Sequence, residues 1–132
     1  MRPHTLQKAF ERLQKGTMVE IALGEFLDHY YASTADARRA ALADEPMLCG
    51  KRRLDALAAA IAEHLSKCIS NEGAPQWTQH PSRFLRVPWF TAKKPSPALR
   101  EYLTFQSPAA FKRRNIMTDG EPLRRARTAS TT

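Results

Sequence analysis

Large apolar residues recur every three or four positions between Lys51 and Ser70: Leu54, Leu57, Ile61, Leu65 and Cys68. That spacing is one face of an α-helix. Ala56, Ala58, Ala59, Ala60 and Ala62 leave little bulk around the stripe. Small residues let neighbouring helices approach closely, so this helix is expected at the centre of a core. Burying its five larger apolar side chains contributes roughly 1.5–3 kcal/mol each before conformational entropy is subtracted.

Shorter runs with the same period precede it. Leu6, Phe10 and Leu13 predict a first helix from His4 to Lys15, stopped by Gly16. Thr17-Met-Val-Glu20 has the form of a capping box, opening a second helix to about Tyr31 with Val19, Leu23, Phe26, Leu27 and Tyr30 as its stripe. Ser33 or Thr34 can cap a third helix, Ala35 to Ala43, which Asp44-Glu45-Pro46 ends. Met47, Leu48 and Cys49 then read as a buried connection.

The texture changes after Gly73. Pro75, Pro81, Pro88, Pro95 and Pro97 exclude a long helix. Trp77, Phe84, Leu85, Val87, Trp89 and Phe90 make the same stretch too apolar for a loose linker. The expectation is an irregular arm pinned to the helical core by its rings, with a strand pattern no longer than Phe84 to Val87. Ser96-Pro97 starts a fifth helix, Ala98 to Phe105. Ser107-Pro108 starts a sixth, with Ser107 as cap and Pro108 at the first position. There Phe111 faces inward, Lys112, Arg113 and Arg114 form a cationic ridge, and Asn115 is the stop. The fold class is all-α: one domain of five to six helices over 1–122, an arm at 74–96 packed on the core, and a basic tail at 123–132.

Charge changes the picture once it is divided along the chain. The net charge is +8. Residues 1–82 carry ten Lys/Arg and ten Asp/Glu, whereas residues 83–132 carry eleven and three. The excess therefore sits in the last fifty residues, where it makes a field that attracts a polyanion or an acidic protein face. Cys49 and Cys68 form neither a metal-ligand spacing nor a disulfide framework and read as free thiols. No segment approaches a membrane span, and the first twenty residues do not have the form of a signal peptide. A cytoplasmic setting follows as the expectation.

Catalytic chemistry finds little support. His4, His29, His64 and His80 make no metal-ligand pairing, and the five glycines are isolated, so no phosphate loop exists. Glu25 and His29 read as a solvated i,i+4 pair rather than a general base. His64 reads as a structural histidine at the border of the core stripe. No cofactor is implied. Binding is better supported: Arg83, Arg86, Arg100, Lys112, Arg113, Arg114, Arg124 and Arg125 are the candidate contact residues, interleaved with aromatic rings. Cations among rings suit phosphate contact with base stacking, and they equally suit an acidic protein surface, where Arg, Trp and Tyr are frequent anchors.

The run from Trp77 through Pro81, Arg83-Phe84-Leu85 and Pro88-Trp89-Phe90, then Leu99-Arg100 and Ser107-Pro108-Ala-Ala-Phe111-Lys-Arg-Arg114-Asn115-Ile116, resembles a family of short bacterial proteins. In that family a W…P-x-RFL…PWF segment precedes an SPAAF(K/R)RRN segment. The resemblance covers roughly residues 55 to 118. It implies the antitoxin-like half of a toxin–antitoxin pair, encoded beside a nucleotidyltransferase-like partner. The resulting expectation is a non-enzymatic protein that contacts such a partner through its basic C-terminal third. The alternative is a small DNA- or RNA-binding protein using the same surface.

Overall fold

The central helix, α4 (Arg52–His64), is enclosed on almost every side in the computed structural model, which describes residues 4–124. The alanines lie deeper than the leucines. Ala56, Ala58, Ala59, Ala60 and Ala62 are fully buried, whereas Leu54 and Leu57 are only partly so. A face of methyl groups lets α1 (Leu6–Gln14), a one-turn helix α6 (Ala109–Lys112) and two 3₁₀ turns (Gln76–Gln79 and Pro81–Arg83) all pack against it. Beyond His64 the helix widens into a π-turn, Leu65–Ile69, closed by Ser70 N–H donating to Leu65 O at 2.9 Å. A π-turn adds a residue per turn and rotates the register. Cys68, expected in the stripe, is exposed there.

Three more helices build the N-terminal half. Thr5 caps α1 by accepting from Lys8 N–H, and Thr34 caps α3 (Ala35–Ala43) by accepting from Ala37 N–H. The capping box expected at Thr17 does not form. Gly16 has φ +104°, Gly16 N–H donates to Leu13 O and Thr17 N–H to Arg12 O, which is the Schellman closure of α1. Thr17 is committed to the helix behind it. Consequently α2 (Val19–Tyr31) starts from Met18 with no side-chain cap. Phe26, Leu27 and Tyr30 of α2 join Leu6, Phe10, Leu42, Ile61 and Leu65 in one core. Met47 and Leu48, expected to be buried, are exposed; their neighbour Pro46 is the residue that turns inward.

The arm is irregular and anchored. Trp77 packs on the core and its indole N–H donates to Leu42 O at 3.0 Å. The strand lies later than the pattern suggested: β1 (Trp89–Phe90) pairs in parallel with β2 (Ile116–Met117), Trp89 opposite Ile116. Two residues are too few for an alternating signal to be visible in sequence. Ser96 caps α5 (Pro97–Gln106) by accepting from Leu99 N–H. Ser107 does not cap α6. Its hydroxyl sits within hydrogen-bonding distance of Leu103 O and Thr118 O and accepts from Thr118 N–H, stitching α5 to the segment after β2. Six α-helices and one two-residue strand pair thus make a single, essentially all-α domain among the described residues. Leu123, assigned from sequence to a tail, belongs to the core, with its carbonyl accepting from Tyr31 Oη at 2.9 Å.

Because Ala60 is fully buried on the most enclosed helix, Ala60→Leu is expected to destabilise the domain by roughly 1–3 kcal/mol. Urea denaturation followed by circular dichroism measures this. An unchanged midpoint would show that α4 is less tightly enclosed.

Candidate binding surface

Two of the candidate contact residues are not on the surface. Arg83 and Arg114 are both 0% exposed. Arg114 follows α6 and reaches back into the core. Its guanidinium pairs with Glu63 at 2.7 Å, donates to Ala110 O and Thr78 O at 2.8 and 2.6 Å, and lies 4.5 Å from the Phe84 ring centroid. Arg83 closes the second 3₁₀ turn. It donates to Asp55 O at 3.1 Å and Pro46 O at 2.6 Å, pairs with Glu45 at 2.7 Å, and lies 5.0 Å from the Trp77 ring. Each leaves its Nε without a hydrogen-bond partner. The π face against each guanidinium offsets part of that loss. Their charge is spent inside the protein, so neither can meet a partner in this conformation.

Glu63 is the acid at the centre of this arrangement. It is 2% exposed on α4 and receives Arg114, Arg113 at 2.7 Å, Gln79 at 3.1 Å and Lys67 at 3.2 Å. Burial pushes its carboxyl up, but the hydrogen bonds from Arg114, Gln79 and Lys67 and the charge of Arg114 outweigh burial and hold it at about 2. Arg114 itself is pulled down by burial and back up by Glu63. Beside Glu63, His64 presents its ring edge to Phe111 at 5.7 Å. Burial lowers the His64 pKa.

The remaining candidates divide among several places. Arg113 is half-exposed, lies against Phe84 at 5.3 Å, and is committed to Glu63 and to Gln79. Lys112 is exposed beside it. Arg100 on α5 is exposed and covers Phe90 at 5.4 Å. Arg86 is exposed on the arm. Arg124 is exposed and paired with Glu121 at 3.1 Å; Arg125 lies outside the described residues. Trp89 and Phe90 are successive strand residues, so their rings point to opposite faces. The cations over them are therefore separated: Arg100 covers Phe90, whereas Arg53 of α4 covers Trp89 at 5.3 Å. The single ridge expected at 112–114 becomes two exposed cations above a buried third.

Sequence reasoning missed two features. One is the place of Arg52 and Arg53, which line a concavity of about 300 Å³ together with Arg86, Leu85, Val87 and Pro88. Nothing in their local sequence distinguishes them from a solvated first turn. The other is the outer face of α5. Only Leu103 of that helix is buried, while Leu99, Tyr102 and Phe105 are 37%, 55% and 75% exposed. At 100° per residue these three occupy an arc of roughly 120°, and exposed Glu101 borders its Phe105 end. A larger concavity, about 430 Å³ beside α3, is bridged by the ion pair Arg39–Glu72 at 2.9 Å, and its other arginine, Arg38, donates to the Tyr30 and Tyr31 carbonyls at 3.0 and 2.9 Å.

The groups weighed for catalysis have structural partners. Arg12 bonds to Glu25 at 2.6 Å, and His29 stacks on His4 at 4.3 Å. Among the described residues no three His, Cys, Asp or Glu side chains gather as a metal site requires, and no helix is long and apolar enough to cross a membrane. No protein-family model, curated protein or solved structure matches the chain.

Because Glu63 titrates far lower folded than its ordinary 4.5, the stability it contributes is fully present above about pH 4.5 and is lost as pH falls towards 2. That contribution is on the order of 3 kcal/mol. Urea denaturation across this window is expected to show a steep loss in the parent protein. Glu63→Gln is expected to be less stable at pH 7 and to show a flatter slope below pH 4.5. Parallel slopes for the two proteins would contradict the role given to Glu63.

Proposed function

We propose that the chain is a non-enzymatic binding protein that docks an acidic protein partner through α5 and the cations of its C-terminal third. The observation that carries this reading is the exposed arc of Leu99, Tyr102 and Phe105. Three large apolar side chains left on the outside of a ten-residue helix are the kind of surface a protein partner covers. The charge excess supplies the sign of that partner. Among the described residues Arg86, Lys93, Lys94, Arg100 and Lys112 are exposed and make no ion pair with an acid. The sequence resemblance supplies the partner class, a nucleotidyltransferase-like toxin of bacterial origin. Such an enzyme holds divalent metal with carboxylates, so a cationic face approaching it would be attracted and could neutralise it. The chain would then act as the antitoxin of a cytoplasmic pair.

Nucleic-acid binding fits the same charges less well. Stacking platforms need rings flanked by cations. The arm's rings are packed on the core or lie against guanidinium groups, and the most exposed ring, Phe105, has Glu101 beside it.

Co-expression with the product of the adjacent gene tests the proposal. The expected result is a saturable one-to-one complex that Tyr102→Ala with Phe105→Ala weakens roughly tenfold or more, and that Arg100→Glu with Lys112→Glu weakens in a salt-dependent way. A complex indifferent to both pairs would overturn the surface. Tight binding to random duplex or single-stranded DNA, falling steeply with salt, would favour the nucleic-acid reading.

A further inference from the structure

We propose that the concavity between the start of α4 and the arm, lined by Arg52, Arg53 and Arg86, is a binding site for a small phosphate-bearing anion. Three exposed arginines line a space of about 300 Å³ there. Among the described residues none of the three makes an ion pair with an acid. Asp55, the acid of the same helical turn, is turned away and buried, its Oδ1 accepting from Cys49 N–H at 3.0 Å. Like charges gathered without an acid repel one another, and a multivalent anion relieves that repulsion.

The positions are also unfavourable for the helix. Lys51, Arg52 and Arg53 surround the N-terminus of α4, whose backbone dipole favours anions, and Lys51 provides no side-chain cap. The same dipole adds to the attraction of the three guanidiniums for a bound phosphate.

One side chain of the site and the backbone beside it are held in place. Arg53 lies against the Trp89 ring at 5.3 Å. The backbone that carries Arg86 is fixed on both sides. Leu85 N–H donates to Arg114 O at 3.3 Å, Asn115 Nδ2 donates to Leu85 O at 2.8 Å, and Trp89 N–H donates to Asn115 O at 2.7 Å. Arginine forks match phosphate oxygens in pairs, which a set of lysines would not do. The volume lies at the lower end of small-ligand sites and suits a di- or triphosphate rather than a long chain. Leu85, Val87 and Pro88 form an apolar wall that a base or ribose can lie on. The shared chemistry is thus a polyphosphate, carried either as free pyrophosphate or on a nucleotide.

Isothermal titration of the full chain with pyrophosphate, and separately with ATP, at low salt tests this. The expected result is saturable one-to-one binding of at least one probe. Arg86→Ala and Arg53→Gln, both on exposed positions, each weaken it roughly ten- to a hundredfold, with folding confirmed by circular dichroism. Lys93→Ala with Lys94→Ala removes two charges elsewhere and is expected to change affinity less than threefold. Tighter binding of ATP than of pyrophosphate assigns the apolar wall to the nucleoside; equal binding assigns the site to the phosphates alone. No saturable binding of either probe, or equal weakening by the lysine control, overturns the proposal.

Discussion

A buried ion pair between Glu63 and Arg114 governs how the C-terminal third meets the central helix. A carboxylate on the wall of a helix lined by alanine methyls is tolerable only if its charge and lone pairs are satisfied. Arg113 and Arg114 arrive from the two positions that follow α6. Gln79 reaches in from the first 3₁₀ turn, and Lys67 from one turn further along the same helix. Three chain segments are therefore held at one point. Arg114 also holds Thr78 and Ala110 by their carbonyls, so α6 and the arm are positioned together. The short parallel pair of Trp89–Phe90 with Ile116–Met117 begins two residues beyond this anchor.

From that arrangement follows a division of labour among the arginines. Those committed to carbonyls and carboxylates, Arg83 and Arg114, are structural. Those resting on rings from outside, Arg53 and Arg100, make no ion pair with an acid among the described residues. Rings under guanidiniums serve both groups, which is why the aromatic-rich arm and the basic excess coincide in sequence. The outcome is several separate basic sites, with the apolar arc of α5 as a distinct surface. The small concavity at the start of α4 and the α5 face lie on different elements, one lined by arginines and one apolar.

Much of the helical frame was legible from the chain. The period of apolar residues located α1, α2 and α4, cap and proline signals located α3 and α5, and Ser96, Thr34 and Asn115 (φ +64°) play the capping and stopping roles their chemistry suggests. What was hidden shares one cause: a local pattern cannot report what a distant segment supplies. Thr17 fits a capping box equally well, until the closure of α1 uses its amide. Ser107 has the form of a helix cap, but Thr118 claims its hydroxyl. Arg114 looks like one of three surface cations, and only Glu63, fifty-one positions earlier in sequence, gives it a reason to be buried. Exposure of Tyr102 and Phe105 was hidden for the same reason, since it depends on which side of α5 the core accepts.

The most direct measurement is a double-mutant cycle on the pair, using Glu63→Gln, Arg114→Met and the combination, with stability read by denaturation at pH 7. If each charge is held in the core by the other, either single change costs roughly 3–5 kcal/mol. The double variant should then recover at least roughly 2 kcal/mol of the summed loss. Additive effects, agreeing within about 0.5 kcal/mol, would mean that Glu63 and Arg114 act independently and that something else anchors the C-terminal third.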